Sequence, residues 1–183
     1  MTSARFLDAT QRGVAFGMAG ALATALIVLW ATPRFVPARF LIGDELWVRL
    51  RAAAWSILLA SFTLFVCIAR LAKHRFFTAA DIQGSGLTEG TARAKLLQAL
   101  LQNTLEQVAL ATAVYFAATL ILPLNHVACV PAAAVMFVVG RVLFFTRYRH
   151  GAPARAWGFA LTFYPTVILL LATLVFGAMR ALA

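Results

Sequence analysis

The chain has 183 residues, 63% of them hydrophobic and 12% charged, with a mean hydropathy of +0.88. That balance excludes an ordinary soluble domain and makes the bilayer the solvent. The formal charge of +10 comes from Lys and Arg spread over the polar segments rather than gathered in one patch, so no nucleic-acid partner is expected.

A spanning helix needs about 20 mostly apolar residues. Five stretches supply them, roughly Val14 to Ala31, Ala52 to Ala69, Ala94 to Ile121, His126 to Phe145 and Ala156 to Met179. None shows the polar/apolar alternation of a barrel strand. The expected fold class is all-α, an integral membrane helical bundle. The first stretch follows Arg5 and Arg12 and resembles a secretory signal. However, its apolar run exceeds the roughly 7 to 15 residues of a cleaved core, and Leu29 stands where a small residue is needed. It is read as a retained anchor helix.

The longest connection runs from Ala72 to Arg93. Its Thr78-x-x-Asp81 spacing predicts a short capped interfacial helix, and Gly84-Ser85-Gly86 supplies a flexible piece. That piece lacks the Gly-Lys-Ser/Thr ending and the preceding strand of a phosphate-binding loop. Pro131 and Pro165 fall inside the fourth and fifth stretches, where each removes a backbone hydrogen bond and can bend its helix.

With five spans, one side of the membrane collects Arg5, Arg12, Arg70, Lys73, Arg75, Arg93, Lys95, Arg147, Arg149 and Arg155. The other holds only Arg34, Arg39, Arg49, Arg51 and Arg180. The richer side is expected to be cytoplasmic, which puts the N-terminus inside. The expected location is a multi-pass position in a bacterial inner membrane or an equivalent bilayer.

The third stretch carries the most informative residues. Glu106 is the only acidic residue within an apolar stretch, and such a carboxylate costs roughly 2.5 to 3.5 kcal/mol on insertion scales unless it is paired or turned to a polar cleft. At 100° per residue, Lys95, Gln98, Gln102 and Glu106 share an arc of about 80°, with Asn103 about 60° beyond. This polar face must look into the bundle or into a cleft between subunits. It either joins helices or binds a ligand.

Arg141, in the fourth stretch, is the expected counter-charge for Glu106. Arg141, Phe144, Phe145 and Tyr148 follow the i, i+3, i+4, i+7 spacing of one helix face, and Arg155 opens the fifth helix from the same side. A carboxylate, two arginines and a phenol are thus expected to converge on the cytoplasmic third of the membrane. They suit an anionic ligand that carries an amine, and a cation placed beside a thiol favours the thiolate. Cys67 and Cys129 lie at opposite depths, which excludes a disulfide between them, and both are read as apolar packing residues. His74, His126 and His150 lack metal-ligand spacing, so no metal is expected.

The run Gln102-Asn103-Thr104-Leu105-Glu106, followed by Arg141, Tyr148, Gly151 and Arg155 in that order, resembles the MAPEG family, the membrane-associated proteins in eicosanoid and glutathione metabolism. The likeness extends from about Trp47 to the C-terminus. It implies a four-helix transmembrane domain over residues 47–183, preceded in residues 1–46 by an added anchor helix and its connecting loop. It also implies a homotrimer with glutathione as co-substrate in a cytosol-facing cleft between subunits, and a lipophilic small molecule arriving from the lipid bilayer. By position, Asn103 and Glu106 would contact the glutathione peptide, with Gln102 beside them. Arg141 and Tyr148 would line the cleft, and Arg155 would stabilise the thiolate. Two positions depart from the pattern of catalytic members: Ala99 stands where an arginine is common, and Phe144 where a tyrosine is. The expected activity is a glutathione transferase or peroxidase acting on lipophilic electrophiles. The alternative is a non-catalytic member that binds another amphiphile or acts as an assembly or regulatory partner. Transport through Glu106 and Arg141 is disfavoured, because the third helix is nearly apolar beyond Gln107.

Overall fold

The computed structural model describes residues 8–36, 43–84 and 87–182. Arg5 and Arg39 of the charge count, and Ser85 and Gly86 of the long loop, lie outside the described residues. Five helices form: α1 (Ala9–Phe35), α2 (Glu45–Phe76), α3 (Ala92–Ile121), α4 (Cys129–Arg147) and α5 (Ala152–Leu182). Each span is long and apolar enough to cross a membrane, the fourth together with its flanking short turns. The chain is an all-α, multi-pass membrane bundle.

Polar caps explain why several helices outrun their apolar stretches. Asp8 and Gln11 cap α1 reciprocally, at 2.6 and 2.9 Å. Asp44 accepts from the Leu46 amide at 3.0 Å to open α2, and Thr91 accepts from the Ala94 amide at 3.2 Å to open α3. Each satisfies an amide that the first turn leaves without a partner. Because α4 begins at Cys129, Pro131 lies in its first turn rather than inside the helix. Its missing N–H is not needed there. Pro165 does sit within α5, fully buried.

The loop expectation at Thr78 is corrected. Thr78 makes no side-chain cap to the short turn Ala79–Asp81. Asp81 instead turns inward and accepts from the Thr91 amide at 2.8 Å, the Thr91 hydroxyl at 2.7 Å and His74 Nε2 at 2.9 Å. These bonds, chiefly those from Thr91, hold its carboxyl below the usual carboxylate range. The loop is thereby fastened to the end of α2 and to the cap of α3.

Arg49 is corrected as well. It is a buried residue of α2, not a loop charge. It pairs with Glu45 at 2.7 Å and donates to the Thr119 and Leu122 carbonyls at 2.5 and 2.9 Å, capping the C-terminus of α3 as a cation should.

In the bundle α4 packs on α5 and α2, α2 on α3, and α1 lies along α5 with a lesser contact to α4. Small side chains, including Ala111, Ala118, Ala133, Ala134 and Ala160, fill the seams around Tyr115 and Phe137, as suits helices that associate by packing in lipid. The closest approach is between α4 and α5. A Cβ added to Gly158 would lie 2.5 Å from the Phe144 amide nitrogen, and one added to Gly140 would lie 2.8 Å from the Gly158 carbonyl oxygen. The helices α1, α3 and α5 are parallel. Gly13 and Gly17 of α1 abut Pro153 and Ala156 of α5, while Leu29, further along α1, meets Cys129 at the start of α4. The near end of the bundle therefore holds the start of α1, the α2–α3 loop and the α4–α5 turn.

Candidate functional site

The tight α4–α5 crossing delivers Arg141 to the middle of the bundle. Its Nε donates to Thr162 Oγ1 at 3.0 Å and its Nη1 to Asn103 Oδ1 at 2.8 Å. The guanidinium carbon stands 4.5 Å from the centre of the Phe144 ring, and the side chain is completely buried. Nη2 has no hydrogen-bond partner among the described residues. About two helical turns further toward the near end, α4 gives way to a short turn at Tyr148. Tyr148 still reaches Phe144 edge-to-face at 5.2 Å, and the Arg155 guanidinium stacks on its ring at 4.3 Å. Among the described residues Arg155 makes no ion pair.

These side chains surround a cavity of about 330 Å³, lined by Asn103, Phe144, Tyr148, Arg155 and Phe159. Its remaining wall is Val14 and Met18 of α1, with Ala152 and Ala156 of α5. Asn103, Tyr148 and Arg155 give the lining its polar and cationic groups, and the rest of it is apolar. That division suits a ligand with an anionic or nucleophilic head and a hydrophobic body.

Three of the expected site residues, Asn103, Tyr148 and Arg155, therefore line one cavity, and Arg141 supports it through Asn103. The expected Glu106–Arg141 pair does not form. On α3 it is Asn103, with buried Thr104 and Gln107, that faces the bundle, and the 60° step to Glu106 turns that carboxylate outward. Glu106 is exposed and accepts from Gln102 Nε2 at 3.0 Å. Gln102 borders a different cavity of about 380 Å³ at the near end, with Arg75, Lys95, Gln98, Ala99 and Glu89. There Arg75 donates to Gln98 Oε1 at 3.2 Å. The polar face of α3 thus serves two surfaces rather than one.

Both cysteines are free and buried. Cys67 contacts the Thr104 hydroxyl at 3.6 Å and Cys129 the Leu29 carbonyl at 3.5 Å, which fits the packing role expected of them. Among the described residues no metal-binding group of His, Cys, Asp and Glu is found. The contribution of α1 to the cavity was missed from sequence. Its signal was the Gly13-x-x-x-Gly17 spacing, which lets one helix approach another closely.

The profile of the MAPEG family matches residues 52–175, well over half of the chain, covering α3, α4 and most of α2 and α5. The chain belongs to the MAPEG family. Membership places it among membrane proteins related to glutathione or eicosanoid metabolism. No curated protein and no solved structure matches the chain. The MAPEG match contains Asn103, Arg141, Tyr148 and Arg155, but it leaves out α1, and with it Val14 and Met18.

Proposed function

We propose that this MAPEG protein is a glutathione-dependent membrane enzyme, a transferase or peroxidase acting on lipophilic electrophiles. The observation that carries this reading is the meeting of Asn103, Tyr148 and Arg155 around one cavity whose remaining lining is apolar. The donor set fits an anionic peptide. Arg155 has a guanidinium with no carboxylate beside it, and buried Arg141 keeps an unpartnered Nη2 beside Asn103. Bound glutathione would supply a nucleophilic sulfur. Arg155 then favours the thiolate by its charge, Tyr148 orients Arg155 by stacking, and Asn103, fixed by Arg141, offers its amide to the peptide. Water is kept out by Phe144, Phe159 and the α1 wall.

A neighbouring copy completes the reading. Glu106 and Gln102 lie exposed on a membrane-spanning helix, an expensive surface to leave against lipid, and a homotrimer would cover it and present Glu106 to the glutathione amine. The near end, with its excess of Lys and Arg, would face the cytosol.

Purified protein in nanodiscs is expected to bind glutathione and to develop ultraviolet thiolate absorbance. Arg155→Ala should remove that absorbance and lower turnover by about 100-fold, the scale of losing one charge-stabilising donor. Absence of binding at millimolar glutathione overturns the proposal. A second reading, a non-catalytic member holding another amphiphile, is favoured by Ala99 and by Phe144, whose ring packs under Arg141 and Tyr148 where a phenol could have served chemistry. Native mass spectrometry showing a co-purified lipid that glutathione fails to displace would select it.

A further inference from the structure

The appended helix α1 does more than anchor the chain. Its seam against α5 is built for close approach: a Cβ on Gly13 would lie 2.9 Å from Pro153 Cβ, and one on Gly17 would lie 3.3 Å from both Ala156 Cβ and the Trp157 amide nitrogen. Beside that seam, one turn apart on α1, Val14 and Met18 turn half-buried toward the cavity that Arg155 and Tyr148 share. The other side of α1 presents Phe16, which is 85% exposed, to the surroundings. Close packing at the glycines thus fixes Met18 against the site.

We infer that α1 is the wall of the acceptor pocket, and that Met18, with Val14, limits the lipophilic co-substrate to a short apolar body, a single ring or a short alkyl chain. This rests on the proposed glutathione-dependent reading. The cavity volume of about 330 Å³ is at the low end of the roughly 300 to 1,000 Å³ typical of ligand sites. Met18, Val14 and Phe159 form its apolar side, so their bulk sets how large an apolar body fits beside Arg155. Met18 is the adjustable element, since an unbranched thioether fills irregular space and is replaced with little backbone disturbance.

The test compares trans-2-hexenal with trans-2-dodecenal as acceptors for the full-length protein in nanodiscs. Conjugation joins the glutathione sulfur to the β-carbon of the enal, and the proton lost by the thiol returns to the α-carbon. Wild type is expected to prefer hexenal. Met18→Ala should shift the dodecenal-to-hexenal ratio of kcat/KM upward by about tenfold, the scale of a few methylene groups in a pocket. Met18→Trp should abolish the hexenal reaction while glutathione binding persists, which shows that this variant folds. Phe16→Ala, on the outer side, should change neither ratio nor rate. An independent measurement uses a diazirine-bearing hexenal analogue, expected to label the α1 peptide containing Val14 and Met18 and to be competed by hexenal. Failure of wild type to bind glutathione would overturn the proposed function while the labelling still reports on the wall. Labelling confined to α5, or an unchanged chain-length preference in Met18→Ala, overturns the role of α1.

Discussion

At the scale of single residues, Arg141 shows how the site is held. A buried guanidinium in a membrane bundle must spend its donors on nearby acceptors, and here they are Thr162 and Asn103. Asn103→Leu removes a charge-assisted bond, so it is expected to destabilise the protein by about 1.5 to 3 kcal/mol as well as to weaken glutathione binding. Adding Arg141→Met should restore part of the stability, because the unsatisfied charge then disappears, without restoring binding. Thermal unfolding in detergent and isothermal titration check the two halves. The residue types gathered around Arg141 were visible in the sequence, but not how they pair. Helical phase placed Asn103 and Glu106 about 60° apart, and only packing against the neighbouring helices, chiefly α2 and α5, decides which of the two turns inward. An uncharged amide took the place that charge complementarity assigned to the carboxylate.

At the scale of elements, the fold was legible wherever hydrophobicity alone defines a helix. All five spans were found from apolar runs. Their ends were less legible, because Asp8, Asp44 and Thr91 extend the helices through caps whose partners are backbone amides. The α4–α5 crossing depends on Gly140 and Gly158, so Gly158→Ala should force the helices apart at a cost of about 1 to 3 kcal/mol. It should also loosen Arg141 from Thr162, seen as a lower melting temperature and faster hydrogen exchange near Thr162. The loop clasp at Asp81 makes a prediction in pH. Its folded carboxyl is held below the usual range by Thr91, so its stabilising effect is fully present above the ordinary carboxylate range and is lost as pH falls through the depressed folded value. Asp81→Asn should abolish that acid-dependent step in exchange rates at the start of α3, and should lower protection there at neutral pH.

At the scale of the whole molecule, α1 stands outside the family match yet walls the candidate cavity together with residues inside that match. No inspection of the motif could reveal this, because the motif lies on α3, α4, the turn that follows α4 and the start of α5. Its signal was a glycine spacing that sequence reasoning passes over when a helix is taken for a simple anchor. The proposed homotrimer is checked by native mass spectrometry, where three chains are expected and where Gln102→Arg, which turns the exposed edge of α3 cationic, should shift the population toward single chains. The parallel course of α1 and α5 has a further consequence during biosynthesis. With the near end in the cytosol, as proposed, the segment between α1 and α2, which leads to Arg49 and Arg51, would cross the bilayer before α3 exists to receive the Arg49 guanidinium at its terminal carbonyls. For that interval only Glu45, one turn away, shields the charge. In that orientation, translocation of the hairpin formed by α1 and α2 would be the costly moment of insertion, since the Arg49 charge would cross ahead of the carbonyls that later receive it.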